Sequence, residues 1–349
     1  MDESTLVPYL RAFQDSRVGV LGDLMLDRYI WGHATRISQE APVPVVQVRR
    51  ESATAGGAAN VVRNLQTLGA HATAFGVVGQ DRHAEKLQAL LAAAAADLSG
   101  VLALSDRETT VKTRVFAGSQ QVVRIDRELT TSIPAAARDE LLARVRQAVA
   151  APRLDALILE DYAKGLLDTS LVQRVVEVCR EHGVMVALDP HPANPFNVHG
   201  LRLLTPNRAE AFALAGVHYQ PTVLPLEADA ALLAVGRRLR ELWAPELLLV
   251  TLGAHGMALF SADQPVLHIP TRARQVFDVS GAGDTVMAVF VLALLAGASP
   301  EHAARLSNHA AGIVVGKVGT AAITRAELET ALQEYHVAAP PPPQLQEGE

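Results

Sequence analysis

Short apolar runs alternate with longer amphipathic ones along this chain. The runs Val18–Asp23, Ala72–Gly79, Asp155–Asp161, Val184–Pro190, Leu201–Asn207 and Leu247–Gly253 are strand-length, and each ends at Gly, Pro, Asp or Asn. Between them, Val61, Val62, Leu65 and Leu68 share one face of a helix expected over about 58–68. Further helices are expected over about 134–150, 168–182, 208–215 and 228–243, and two long Ala- and Val-rich ones over 282–295 and 300–317. This β–α alternation predicts a mostly parallel sheet covered by helices on both faces. Residues 33–50 and 108–126 instead alternate with period two and carry polar partners, the pattern of half-exposed antiparallel strands. They predict a small β-layer inserted into the α/β body. The tail 338–349, rich in Pro, is expected to be disordered.

Composition narrows the function classes. Of 349 residues, 49% are hydrophobic and 19% charged, enough to bury a large core. A net charge of −6 gives no basic field for nucleic acid, although a local cation cluster can still bind an anion. No uncharged apolar stretch reaches the ~18 residues of a membrane span, and the acidic start lacks a signal core, so neither membrane nor nucleic acid is an expected partner. The single cysteine, Cys179, rules out an internal disulfide and fits a reducing, cytoplasmic compartment. The twelve histidines show no metal-ligand spacing.

Chemistry concentrates in two segments. Asp278-Val279-Ser280-Gly281-Ala282-Gly283-Asp284 opens directly into a long apolar helix. Glycines there let an anion approach the backbone, and free amides at the helix start would hold a phosphoryl group. Asp284, in the first turn, could take a proton from an attacking hydroxyl. An ordinary loop with an acidic helix start would look the same. The second segment, Gly56-Gly57-Ala58-Ala59-Asn60, allows a polyol close to the backbone, with the Asn60 amide bonding hydroxyls; tight helix–sheet packing uses the same residues. Neither a GxxxxGK[ST] loop nor a strand-borne GxGxxG is present.

In these two segments, and in that order, the chain resembles the ribokinase-like carbohydrate kinases over about residues 15–335. Within them it is most similar to the D-glycero-β-D-manno-heptose-7-phosphate kinases, through residues 22–32, 36–46, 56–70, 111–126, 161–167 and 203–212. The resemblance implies a three-layer α/β/α fold with a β-lid, and ATP-dependent phosphorylation of the anomeric hydroxyl of heptose 7-phosphate in lipopolysaccharide-precursor synthesis. It implies a stand-alone kinase and a homodimer through the lid. By the same resemblance Asp27, placed at the end of the first strand, binds sugar hydroxyls with Gly56, Gly57 and Asn60. Asn207 and Glu210 serve the phosphates, Glu210 through Mg2+-bound water. Thr251, Gly253, Gly256 and Asn308 flank the nucleotide, and Asp278 and Ser280 edge a K+ site. A phosphorylated substrate needs cations; Arg28, Lys112, Arg114, Arg124 and Lys164 are candidates, with Lys164 and Arg124 preferred.

Three departures bear on the substrate. Asp189-Pro190-His191-Pro192 replaces the subgroup's DPKG, Glu160 stands where a small residue is usual, and His83-Ala84 replaces the last glycine of G-x-D-x-x-G. Two other readings stay open: a kinase of the same fold for another sugar, vitamin or nucleoside, and a sugar- or nucleotide-binding regulator without catalysis.

Overall fold

The computed structural model describes residues 3–118, 120–150, 154–196, 198–261, 264–273 and 276–338. All of the Pro-rich tail except residue 338 lies outside them.

The strands are β1 (Arg17–Gly22), β2 (Leu24–Ile37), β3 (Pro44–Gly57), β4 (His71–Gly79), β5 (Asp97–Leu104), β6 (Thr110–Ala117), β7 (Gln120–Arg127), β8 (Ala156–Glu160), β9 (Met185–Asp189), β10 (Leu203–Leu204), β11 (Leu247–Thr251), β12 (Met257–Ser261) and β13 (Leu267–Ile269). The helices are α1 (Val7–Ala12), α2 (Ala58–Thr67), α3 (Arg82–Ala93), α4 (Ala135–Ala150), α5 (Thr169–Glu181), α6 (Arg208–Leu214), α7 (Ala230–Trp243), α8 (Ala282–Leu295), α9 (Pro300–Val314) and α10 (Arg325–Ala338).

Nine strands form one sheet in the order β13-β12-β11-β10-β9-β8-β1-β4-β5, parallel except at β12 and β13. Alternation along each strand feeds two separate cores. Val18, Val20, Ala156 and Ile158 pack with α2, α8, α9 and α10, whereas Leu21, Leu157 and Leu159 pack with α4, α5, α6 and α7. The expected three layers are therefore present. Helix α8 is apolar all round and fully buried from Val286 to Ala293, as a helix must be when covered on every side.

The same alternation aims chemistry. Residues 156, 158 and 160 share a face, so Glu160 continues toward α2 and α8; Asp189 pairs with Glu160 across the strands and does likewise. Both carboxyls thus leave the C-terminal edge of the sheet, where open α/β sheets bind ligands.

The lid is a second sheet in the order β3-β2-β6-β7. Its long strands start at Leu24 and run to Gly57, wider than the expected 33–50, because residues 24–27 are buried on both faces and show no alternation. Asp27 consequently sits in β2, a lid strand, and not at the end of the first strand as expected. Helix α9 ends at Val314, short of the expected residue 317.

Phe290, wholly buried in α8, sets the core on the α2 side. Phe290→Ala is expected to cost about 3–5 kcal/mol, read as a lower urea midpoint with an unchanged slope.

Candidate active site

The head of α8 is built by its own sequence. Gly281 caps the helix at φ +80°, a left-handed conformation, and a Cβ there would come within 2.7 Å of Asn60 Nδ2. Only glycine satisfies both demands. Ala282 N–H donates to the Val279 carbonyl at 3.2 Å, so it is not the open amide expected from the sequence. Among the described residues no backbone acceptor meets the Gly283 or Asp284 amide, the Asp284 amide instead favouring its own carboxylate, and both residues face the cavity described below.

Asp284 is only 7% exposed. Its Oδ2 accepts from Asn60 Nδ2 at 2.7 Å and its Oδ1 from the Tyr162 hydroxyl at 2.6 Å. Burial raises its pKa, and the Tyr162 and Asn60 hydrogen bonds oppose that rise. Asn60 Oδ1, also buried, meets no donor among the described residues. Tyr162 was not foreseen from the sequence, although its motif was. It rides on a turn fixed by Asp23, whose Oδ2 accepts from the amides of Tyr162 and Lys164, both at 3.0 Å. Burial pushes the Asp23 carboxyl up to about 6.

On the lid side, Asp27 Oδ1 pairs with Arg114 at 2.8 Å and Oδ2 accepts from Thr320 Oγ1 at 2.6 Å. A Cβ on Gly56 would stand 2.6 Å from Asp27 Oδ2, so this carboxylate lies on the glycine segment. Thr320 also bonds the Tyr29 hydroxyl at 3.0 Å. Lys164 is paired with Glu128 at 2.9 Å, and Lys112 is partly buried near it, its pKa lowered by burial and then by Lys164. Arg124 is half exposed on the edge strand β7 and is forked onto Asp126. Arg28 pairs with Glu51. Lys112 and Arg114 stand with Asp27 on one face of the lid, since Asp27 is in register with Lys112 and Tyr29 with Arg114; Arg124, opposite Arg114, shares that face but lies out on the edge strand, paired with Asp126.

Opposite lies a cavity of about 850 Å³. Asn207, Glu210, Thr251, Gly253, Gly256 and Asn308 all line it, together with Asp189, Gly283 and Asp284. Asn207 and Glu210 cap α6 reciprocally, with Asn207 Oδ1 accepting from Glu210 N–H at 3.0 Å and Glu210 Oε2 from Asn207 N–H at 2.8 Å. Asn308 Nδ2 donates to the Pro270 carbonyl at 2.6 Å. Asp278 accepts from Ser280 N–H at 2.9 Å and from Gly319 N–H at 3.0 Å, tying two loops together. That geometry adds no support for the expected K+ role of Asp278 and Ser280.

Hard carboxylate oxygens on the cavity wall (Asp189, Glu210, Asp284) suit Mg2+. Among the described residues no three His, Cys, Asp or Glu side chains converge enough to ligate an ion directly. The set fits an ion held mainly through water and phosphate oxygens.

Glu160 is fully buried, and neither carboxyl oxygen meets a hydrogen-bond donor among the described residues. Burial, then Asp189 and Asp284, drive its pKa well above the carboxylate range, and Asp189 is driven the same way by burial and Glu210. Both shifts favour the protonated form of the pair relative to free carboxylates. A folded-state pKa above the unfolded one gives stability that is full below the unfolded value and is lost as pH rises through the folded value. Glu160→Gln is expected to flatten the fall in melting temperature from weakly acid to alkaline pH; a parallel pH profile for the two proteins would contradict a proton on the pair.

Residues 15–327 match the family model described as pfkB family carbohydrate kinase. The chain is 42% identical over 327 residues to the "Bifunctional protein HldE" of Desulfatibacillum aliphaticivorans, covering 93% of this chain and 65% of that one. It is 42% identical over 315 residues to the protein of the same name from Geobacter metallireducens, covering 90% and 62%. The chain thus spans somewhat under two thirds of these relatives. Among solved structures it is similar to Arabidopsis thaliana ribokinase complexed with ribose and ATP, with a TM-score of 0.67, 21% identity, and 91% of this chain and 99% of that one covered. Similarity also extends to phosphofructokinase-2 from Escherichia coli in complex with substrates and products, with a TM-score of 0.72, 16% identity, and coverage of 91% and 99%.

Proposed function

This chain belongs to the pfkB family of carbohydrate kinases and is a sugar phosphotransferase, and from that premise we propose that it phosphorylates the anomeric hydroxyl of D-glycero-β-D-manno-heptose 7-phosphate with ATP, giving the 1,7-bisphosphate. The observation that carries the reading is the position of Asp284. It is buried at the head of α8, with the Asn60 and Asp27 side on one hand and the cavity holding Asn207, Glu210 and Thr251 on the other.

In this mechanism the sugar lies against Gly56, Gly57, Asn60 and Asp27. Asp284 accepts the proton of the attacking hydroxyl, the sugar oxygen forms the new bond to the terminal phosphorus of ATP, and the bond to the bridging oxygen breaks, releasing ADP. The Gly283 and Asp284 amides, at the positive end of the α8 dipole, hold the phosphoryl oxygens in transit. The Tyr162 and Asn60 donors hold the Asp284 carboxylate in one orientation. Mg2+, placed by Glu210 through water, supplies charge neutralisation of the triphosphate when bound. Arg114, Lys112 and Lys164 offer the substrate's phosphate a cationic wall.

Lipopolysaccharide-precursor synthesis and a cytoplasmic location go with this substrate. A homodimer through the lid is part of the same reading, supported by exposed Ile37, Val48, Val123 and Ile125 on its strands. No helix among the described residues is long and apolar enough to cross a membrane. His191 and Glu160 favour keeping a second reading, a kinase of this fold for another sugar phosphate.

Asp284→Asn is expected to lower kcat by about 10²–10⁴-fold while ATP binding persists. Because burial raises the Asp284 pKa and only the carboxylate accepts a proton, the wild-type rate should fall on the acid side at a pH above the ordinary carboxylate range. Full turnover in the asparagine variant would remove Asp284 from the chemistry. A panel of heptose 7-phosphate, fructose phosphates and ribose tests the substrate. ATP turnover with none of them, together with sugar binding, would favour the regulator.

A further inference from the structure

Glu3 is a carboxylate at the far N-terminal end of the described chain, yet only 4% of it is exposed. It is drawn in by the segment that follows. Leu6, Leu10 and Phe13 bury in the core formed with α8, α9 and α10, and the Tyr9 hydroxyl bonds His302 of α9 at 3.1 Å. Three cationic or protonatable groups from two other elements meet Glu3. Arg272, in the loop between β13 and α8, donates to Oε1 at 3.2 Å; Arg305 and His309 of α9 lie 3.7 and 3.6 Å from Oε1 and Oε2. Burial pushes the Glu3 carboxyl up, but His309, Arg272 and Arg305 outweigh it and hold the group below the usual carboxylate range.

The inner sides of these two elements form one wall of the cleft. Thr271 and Ala273, on either side of Arg272, line it, as do Asn308 and Gly312 of α9. Loop and helix touch there, because a Cβ on Gly312 would come within 3.0 Å of the Arg272 backbone. Asn308 reaches the Pro270 carbonyl from the same helix.

We propose that Glu3 is a positioning residue for the nucleotide: its carboxylate clamps the Arg272 loop onto α9 from behind and so fixes the width of the cleft wall that the base and ribose enter. This rests on the reading that the cleft holds nucleotide. Without Glu3 the loop loses its ionic bridge to α9: Arg305 keeps its nearer counter-ion, Glu301 at 2.8 Å, but Arg272 no longer shares a carboxylate with Arg305 and His309. The loop then moves off the helix, and the wall loosens. The phosphate end of the site, built on α8 and α6, does not depend on the clamp.

The test is calorimetric titration of Mg-ATP into wild type, Glu3→Ala and Leu6→Ala, with steady-state kinetics and melting temperatures on all three. Leu6→Ala removes core packing from the same segment but leaves the carboxylate. Glu3→Ala is expected to weaken ATP binding about five- to tenfold, with kcat at saturating ATP and the sugar KM held within about twofold. An unchanged ATP affinity in Glu3→Ala overturns the clamp. So does an equal loss of affinity in Leu6→Ala at a matched fall in melting temperature, which would make the effect one of general destabilisation. A wild-type protein that binds no ATP removes the nucleotide reading and the clamp together, whereas wild-type binding with an indifferent Glu3→Ala removes the clamp alone.

Discussion

The burial of Asp284 is the constraint on which the rest of the site depends. An ionised carboxylate this far from water is tolerable only if donors replace the water it has lost. Both oxygens find one, and the two donors come from distant parts of the chain: Asn60 from α2 and Tyr162 from the turn after β8. Their approach dictates small residues around them, as at Gly281, where any side chain would strike Asn60. The apolar length of α8 then anchors the assembly, since a helix with no polar face has to be enclosed by α2 on one side and α9 on the other.

Charge is divided across the site in a way the net value of −6 conceals. Carboxyls collect at the floor: burial, and for Glu160 and Asp189 also the neighbouring carboxyls, raises the pKa of Glu160, Asp189 and Glu210. Cations collect on the lid, as Arg114 and Lys112, with Lys164 beside them on the turn after β8. The lid thus favours anions, which is why the proposed acceptor is one that already carries a phosphate.

Much of this was readable in the linear sequence because periodicity reports burial. The central strands and most helices fall within a few residues of their expected limits, and the cavity collects the four residues expected to flank the nucleotide and the two expected to serve its phosphates. What periodicity cannot report is contact between distant segments. Tyr162, Thr320 and Asp23 are ordinary polar residues until the fold brings them to Asp284, Asp27 and the Lys164 turn. Asp27 was placed on the wrong strand because doubly buried residues at the root of β2 look like a continuation of β1. The Ala282 amide was counted as open because a turn's internal hydrogen bond to Val279 leaves no mark in composition. Glu160 stood out only as an unusual residue; its strand's register is what turns it inward beside Asp189.

The lid and the phosphate turn are joined by a short chain of hydrogen bonds. Thr320 bonds both Asp27 and Tyr29 of β2. The next residue back, Gly319, donates to Asp278, and Asp278 in turn holds the Ser280 amide beside Gly281. Swinging the lid away as a rigid body breaks the Thr320 contacts, each worth on the order of 1 kcal/mol, and frees the 316–320 segment that steadies Asp278. The lid and the turn before α8 are therefore parts of one hydrogen-bonded unit, so on the proposed reading a lid that closes on the sugar also stiffens the turn that receives the phosphate.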